Sequence, residues 1–271
     1  MVSKSFDINT ANLLPFEPGT RSLLLEISPT AVSVILWNRE KNEPEAFEVF
    51  NGIFHNAADW QLITQQSRLL GLTHLETDVI HGFETMLPMP LHLYTPQSAS
   101  HQMQLFFGNK MGMHSSADIL NDQSMALAWQ LPADVYQLIA EHFKIFRVKH
   151  VGAALVQNAG GTDAPHGKIV VYGNQCWLSL WNKRTLQIIK SIAVAQPDDL
   201  SWHLLNICRQ FELDPADVSW EVGGMAEENS PLWNAITRFF EPVKPMRSAV
   251  PLPEELPGHY FAHLYPVTKS S

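Results

Sequence analysis

The chain has 271 residues, 45% hydrophobic and 17% charged, with a formal net charge of -9. That balance excludes a disordered or fibrous polypeptide, and the length suits two domains or one bilobed unit. No run of Lys or Arg is longer than Lys183-Arg184, so the chain lacks the clustered cations that phosphate neutralisation requires, which argues against a nucleic-acid partner.

No window approaches the ~18 uninterrupted apolar residues of a membrane span, and the start, Met1 to Asp7, has no apolar signal-peptide core. The expectation is a cytoplasmic protein without membrane insertion. Cys176 and Cys208 stand without pairing or ligand spacing, which reads as two buried free thiols. The twelve histidines fall singly, with no helical pair of ligands, so no metal site is expected.

Residues 1–22 read as an N-terminal extension. Two apolar runs of strand length follow, Leu23 to Ile27 and Ala31 to Asn38, around the break Ser28-Pro29-Thr30. The charged turn Arg39 to Asn42 leads to a third strand, Glu45 to Phe50, making a meander. Trp60, Ile63 and Leu70 then carry the spacing of an amphipathic helix, and Thr77 to Gly82 reads as a strand. The stretch of about 88–122 is polar, Met-rich and read as an irregular insertion. Ser124 to Trp129 is a strand, Pro132 to Phe143 a helix, Arg147 to His150 a strand and Val151 to Ala159 a helix. The joint Gly160 to Pro165 is the candidate hinge.

The same unit then recurs. Lys168 to Val171 and Cys176 to Asn182 are strands around Tyr172-Gly173-Asn174, and Leu186 to Ala195 is the third. Leu36-Trp37-Asn38 falls without a gap on Leu180-Trp181-Asn182, 144 positions later. A helix opens at Gln196-Pro197-Asp198-Asp199, with proline at its first position and acids where the helix dipole favours them. A strand over Val218 to Gly223 and a helix over Pro231 to Phe240 complete the copy. Trp37 and Trp181 read as packing residues at the sheet end. Six prolines after Glu241 preclude any long helix, while Tyr260, Phe261, Leu264 and Tyr265 predict an extended segment lying on a lobe.

A chain that repeats one strand-strand-strand-helix-strand unit is α/β, with mixed sheets flanked by helices. That arrangement resembles the actin-like, ribonuclease-H-like superfamily. The inter-lobe stretch from Ala126 to Leu155 is similar to that of the pilus-assembly M proteins. Residues of about 20 to 243 resemble an uncharacterised Bacteroidetes family of unknown function, on the strength of Leu24-Leu25-Glu26-Ile27-Ser28-Pro29, Leu180-Trp181-Asn182 and Val222-Gly223-Gly224. The resemblance implies two actin-like lobes, 23–160 and 161–243, followed by a Pro-rich segment, 244–271.

It also implies where a nucleotide would sit. Actin-like ATPases hold phosphate between two hairpin turns, one per copy, each with an Asp and a close glycine; the carboxylates place magnesium and the glycines let backbone N–H groups approach. The corresponding cofactor-binding positions are Glu26, Ser28 and Thr30 in the first turn, Gly173 and Asn174 in the second, and the pair Gly223-Gly224 on the adenosine side. Ser28 and Pro29 replace clearance and a donor, and no Asp or Glu occurs from Lys168 to Ala195. ATP and magnesium are therefore not the expected cofactors, and no catalytic or metal-ligating residue is assigned.

The favoured expectation is a non-catalytic scaffold, a pseudo-ATPase that binds another protein. The alternative is a nucleotide-dependent ATPase or switch using Glu26 or Asp78; both also read as polar residues of strands. A third class, a small-molecule binding or hydrolytic protein with a site unrelated to the family cleft, has no supported nucleophile, because Ser115-Ser116, Ser270-Ser271 and the two cysteines sit in no glycine elbow.

Overall fold

Every residue of Ala31–Asn38 is buried, so this strand is flanked on both sides within its sheet and covered on both faces. In the computed structural model, which describes residues 3–9, 17, 19–52, 57–157, 162–248, 250, 252 and 257–264, the chain falls into two units, Met1–His150 and Val151–Ser271.

The first unit contains strands β1 (Ser3–Asn9), β2 (Arg21–Ile27), β3 (Ala31–Asn38), β4 (Glu43–Asn51) and β5 (Glu76–His81), with helix α1 (Ala57–Gln66) between β4 and β5. With β9 (Phe146–His150) they form one sheet in the order β1-β4-β3-β2-β5-β9. The pairs β2–β3 and β3–β4 are antiparallel, while β2–β5 and β5–β9 are parallel, as a connection through a helix demands. Strand β1 corrects the expected N-terminal extension: it pairs antiparallel with β4 and forms the sheet edge. Lys4 on it donates to the buried Glu48 at 2.8 Å. Leu70 is fully buried but lies in the turn after α1, not on the helix.

The expected irregular insertion is regular. Residues 86–132 form a second, three-stranded sheet, with β6 (Met86–Pro90) and β7 (Met113–Leu120) flanking β8 (Met125–Pro132), and helix α2 (Pro96–Phe107) packed on it. Thr95 caps α2 by accepting from Ser98 N–H at 3.0 Å, and Pro96 occupies the first turn. Helix α3 (Ala133–His142) leads into β9.

The second unit begins at α4 (Val151–Gln157), ten residues before the boundary set from sequence at 160/161. Val151 to Val156 are all buried, and this apolar helix packs on the second unit's sheet. Of the expected hinge, Gly160 and Gly161 lie outside the described residues. Strands β10 (His166–Tyr172), β11 (Gln175–Asn182), β12 (Thr185–Ala193), β13 (Ser219–Gly224) and β14 (Val243–Pro245) give the order β12-β11-β10-β13-β14. Helix α5 (Pro197–Gln210) starts where Asp199 accepts from the N–H groups of Ala195 and Gln196, at 2.9 and 2.7 Å. It places Leu200, Leu204, Ile207 and Cys208 in the core, and α6 (Pro231–Thr237) adds Trp233 and Ile236.

The two sheets share one plan down to their irregularities. Leu23 pairs with Leu36, and 144 residues on Gly167 pairs with Leu180. The β3–β4 register shifts between Leu36 and Trp37; the β11–β12 register shifts between Leu180 and Trp181. Those are bulges at equivalent places.

Candidate functional site

In α/β sheets ligands gather outside the carboxyl ends of the parallel strands, and the hairpin turns singled out by sequence lie there. In the first unit Gly82 N–H donates to the carbonyl of Ile27 at 2.9 Å, and Gly52 N–H to that of Thr30 at 3.0 Å. In the second, Met225 donates to Val171 at 3.2 Å and Val194 to Asn174 at 2.7 Å. The turns are therefore equivalent in backbone, and their side chains carry the difference.

In the first turn Ser28 is buried and closes the turn on itself. Its hydroxyl oxygen accepts from Ala31 N–H at 2.9 Å and Thr30 N–H at 3.3 Å, while Ser28 N–H donates to the carbonyl of Ala31 at 2.9 Å. Pro29 has no N–H to offer. Every backbone donor from Ser28 to Ala31 is thus engaged within the turn. Glu26 is buried at the end of β2, where it pairs with Ser33 and Ile80. The other carboxylate considered, Asp78, lies three residues before the end of β5 and takes both nitrogens of a fork from Arg147, at 2.9 and 3.3 Å. Arg147 also reaches Glu76 at 3.0 Å.

In the second turn Gly173 and Asn174 are exposed, and Gly173 adopts φ 58°. Val170 stands where the first copy has Glu26: it pairs with Trp177 and Gly223 and is fully buried.

The glycine pair is enclosed. Gly224 has φ 77°, and a Cβ there would stand 2.7 Å from Val171 N and press on the Val171 carbonyl. A Cβ on Gly223 would meet Met246 Sδ at 3.1 Å and the His259 carbonyl at 3.2 Å. Gly224 N–H donates to that His259 carbonyl at 3.1 Å, and the His259 ring pairs with the Ala226 carbonyl at 2.7 Å. Farther along the same segment, His263 meets the Tyr172 hydroxyl at 3.3 Å, at the threshold of the second hairpin turn. His259 to Leu264 are buried without interruption. The segment expected from sequence thus lies on the second unit, but it is folded into turns rather than extended, with Tyr260 N–H donating to the Pro257 carbonyl and Leu264 N–H to that of Phe261, each at 3.0 Å; Tyr265 is outside the described residues.

Sequence reasoning missed a polar cluster at the ends of β5 and β9. His81 and His150 pair across the parallel strands, their rings 4.8 Å apart and edge-on. His150 Nε2 donates to the Phe83 carbonyl at 3.0 Å. Asp118, on β7, accepts from the Trp129 indole at 3.0 Å and from His150 N–H at 2.8 Å. Burial pushes His150 down to about 4 and lifts Asp118 to about 7. Burial, with His150 and His114 nearby, holds His81 well below the ordinary imidazole range. Both His81 ring nitrogens are buried without a partner among the described residues. Burial thus disfavours the charged form of all three groups. The cluster's signal was a lone His at the end of each of two neighbouring strands, Val79-Ile80-His81 and Val148-Lys149-His150. Among the described residues no group of three or more His, Cys, Asp or Glu is placed to hold a metal ion.

Residues 11–243 match the family described as "Protein of unknown function (DUF3822)". The chain belongs to this family. Among solved structures it is similar to a Bacteroides thetaiotaomicron protein with an actin-like ATPase fold and unknown function, at 13% identity and a TM-score of 0.79, covering 93% of this chain and 96% of that one. A chain of the PilM-PilN type IV pilus biogenesis complex follows at 12% identity and TM-score 0.63, with 93% and 98% covered. The ethanolamine utilization protein EutJ from Carboxydothermus hydrogenoformans gives 9% and 0.51, with 95% and 91% covered. No curated protein matches the chain. This DUF3822 member therefore has the actin-like ATPase fold, built from the two equivalent sheets described above.

Proposed function

We propose that this DUF3822 protein is a non-catalytic actin-like scaffold that acts in the cytoplasm by binding another protein. One observation carries the reading: the backbone donors of the first hairpin turn and of Gly224, which would face a bound nucleotide, are already spent. Those of the first turn go to Ser28 and Ala31, and that of Gly224 goes to the chain's own His259. Val170 in place of a second carboxylate removes a ligand for magnesium. The residues present thus fit a magnesium nucleotide poorly, and no reaction step is assigned to one.

Protein binding is supported by the distribution of exposed apolar side chains. Of the nine large ones exposed among the described residues, five (Leu93, Leu105, Phe106, Met111 and Ile119) lie in the 86–132 subdomain. A PilM-PilN complex among the structural neighbours shows the fold assembled with a protein partner in that case. Cytoplasmic residence fits the unpaired thiols of Cys176 and Cys208. Among the described residues no helix is long and apolar enough to cross a membrane.

The alternative, a nucleotide-dependent ATPase or switch, rests on Glu26, a carboxylate at the right strand end. Thermal denaturation with millimolar ATP and Mg²⁺ separates the two. A ligand at 100 times its Kd adds about 2.7 kcal/mol, which raises the melting midpoint by several degrees. The scaffold reading expects no shift, and a shift abolished by Glu26→Gln would overturn it.

A further inference from the structure

The described sheets have six edge strands, and five of them are defended. β1 carries Lys4 and a register shift between Lys4 and Phe6; β9 carries Arg147 and Lys149; β12 carries Lys190; β14 carries Lys244 and Pro245; β6 carries Pro88 and Pro90. Lysine, proline and bulges stop an edge from recruiting another strand.

β7 has none of these devices. It contains no Lys, Arg or Pro and follows β8 without a register shift. Its one charged residue, Asp118, is buried against Trp129 and His150. At Ser115 and Ser116 the edge is exposed.

Beside that edge runs a cleft of about 70 Å³. Tyr94, Ala99, Ser100 and Met103 wall it on the α2 side, Ser115 and Ser116 on the β7 side, with Ala128 and Trp129 between them. No lining residue is charged. Leu105 and Phe106, at the far end of α2, and Met111 beyond it are 70 to 90% exposed.

We propose that the α2–β7 cleft takes an extended, uncharged segment of a partner protein, which adds to β7 as a fourth strand and sets alternate side chains into the cleft. A strand suits this site because an edge offers N–H and C=O groups at the strand repeat. An uncharged one suits it because a buried charge would find no counter-charge in the lining. A second copy suits it less, since a two-fold β7–β7 contact sets two concave surfaces against each other and leaves both unfilled. The proposal rests on the protein-binding reading above and names the partner's chemistry.

The test is selection from a random 12-residue peptide library on the full chain, followed by titration of the synthesised consensus peptide. The consensus is expected to be uncharged and rich in β-branched residues at alternate positions, and to protect the amides of 113–117 from hydrogen exchange. Ser100→Lys and Ser116→Lys, both at exposed lining positions, should each weaken it at least tenfold while leaving the melting midpoint unchanged. Recovery of no peptide, a charged consensus, or indifference to both substitutions overturns the proposal. So does a concentration-dependent dimer that Ser116→Lys dissolves, which would assign the edge to a second copy. The ATP titration is independent: a nucleotide response would remove the non-catalytic reading and leave the cleft result standing.

Discussion

The N–H of Gly224 donates to the carbonyl of His259 at 3.1 Å, so the turn that ends β13 is completed by a residue from the end of the described chain. The bond needs Gly224 in its left-handed conformation and leaves no room for a side chain, given Val171 N at 2.7 Å from an added Cβ. Gly224→Ala is expected to cost about 1–3 kcal/mol from the backbone alone, with the clash added. Urea denaturation measures it, and hydrogen exchange at 259–264 should quicken. A change under about 0.5 kcal/mol would mean that the tail does not depend on this turn.

Glu48 supports a second prediction. Its carboxylate is 2% exposed and accepts from Lys4 at 2.8 Å, from the Ser67 hydroxyl, and from the N–H groups of Arg68 at 3.2 Å and Leu69 at 3.4 Å. Removing one partner of a buried charged network leaves the others unsatisfied. Glu48→Ala should therefore cost about 3–5 kcal/mol in chemical denaturation and loosen β1 first, seen as faster exchange across Ser3–Asn9. Uniform exchange in the mutant would show that β1 is held by its ladder alone.

Acid should act through the cluster at the ends of β5 and β9. His150 and His81 have depressed folded-state values, so below the ordinary 6.5 the unfolded chain binds protons that the fold refuses. Their contribution is present above pH 6.5 and is lost as pH falls toward 4, about 3 kcal/mol for His150. Asp118, raised from 3.8 to about 7, has the opposite sign: its contribution is present at low pH and is lost as pH rises through that interval. The other groups facing the cluster are His114 and the charge of Lys149.

The two effects partly cancel between pH 4 and 6.5. Asp118→Asn keeps an acceptor for Trp129 and His150 and removes one of the opposing contributions. The mutant should be more stable at pH 8 and lose stability more steeply on acidification than the parent. Parallel stability-against-pH curves would refute the assignment.

The sheets were readable because their strands are continuous apolar runs bounded by turn residues, as in Ala31–Asn38, and because the run recurs. Helix α5 announced itself through Pro197 and its acids. Helix α2 and β7 did not. Of twelve residues in α2 only Ala99 and Met103 are buried, and in β7 only Asp118 and Leu120, too few to show a period. Thr95 capping and pairing with β8 supply their order instead. At the candidate site the glycine pair was legible as a turn and the aromatic tail as a buried segment. That each is the other's partner was not, since a contact between Gly224 and His259 leaves no local pattern.

The bulges at Leu36/Trp37 and Leu180/Trp181 bear on ancestry. A register slip is not forced by a meander, and its presence at the same place in both sheets is most simply inherited from one module that already had the kink when it was duplicated. Glu26 and Val170, which differ at matching positions beside that shared geometry, then record divergence after the copying.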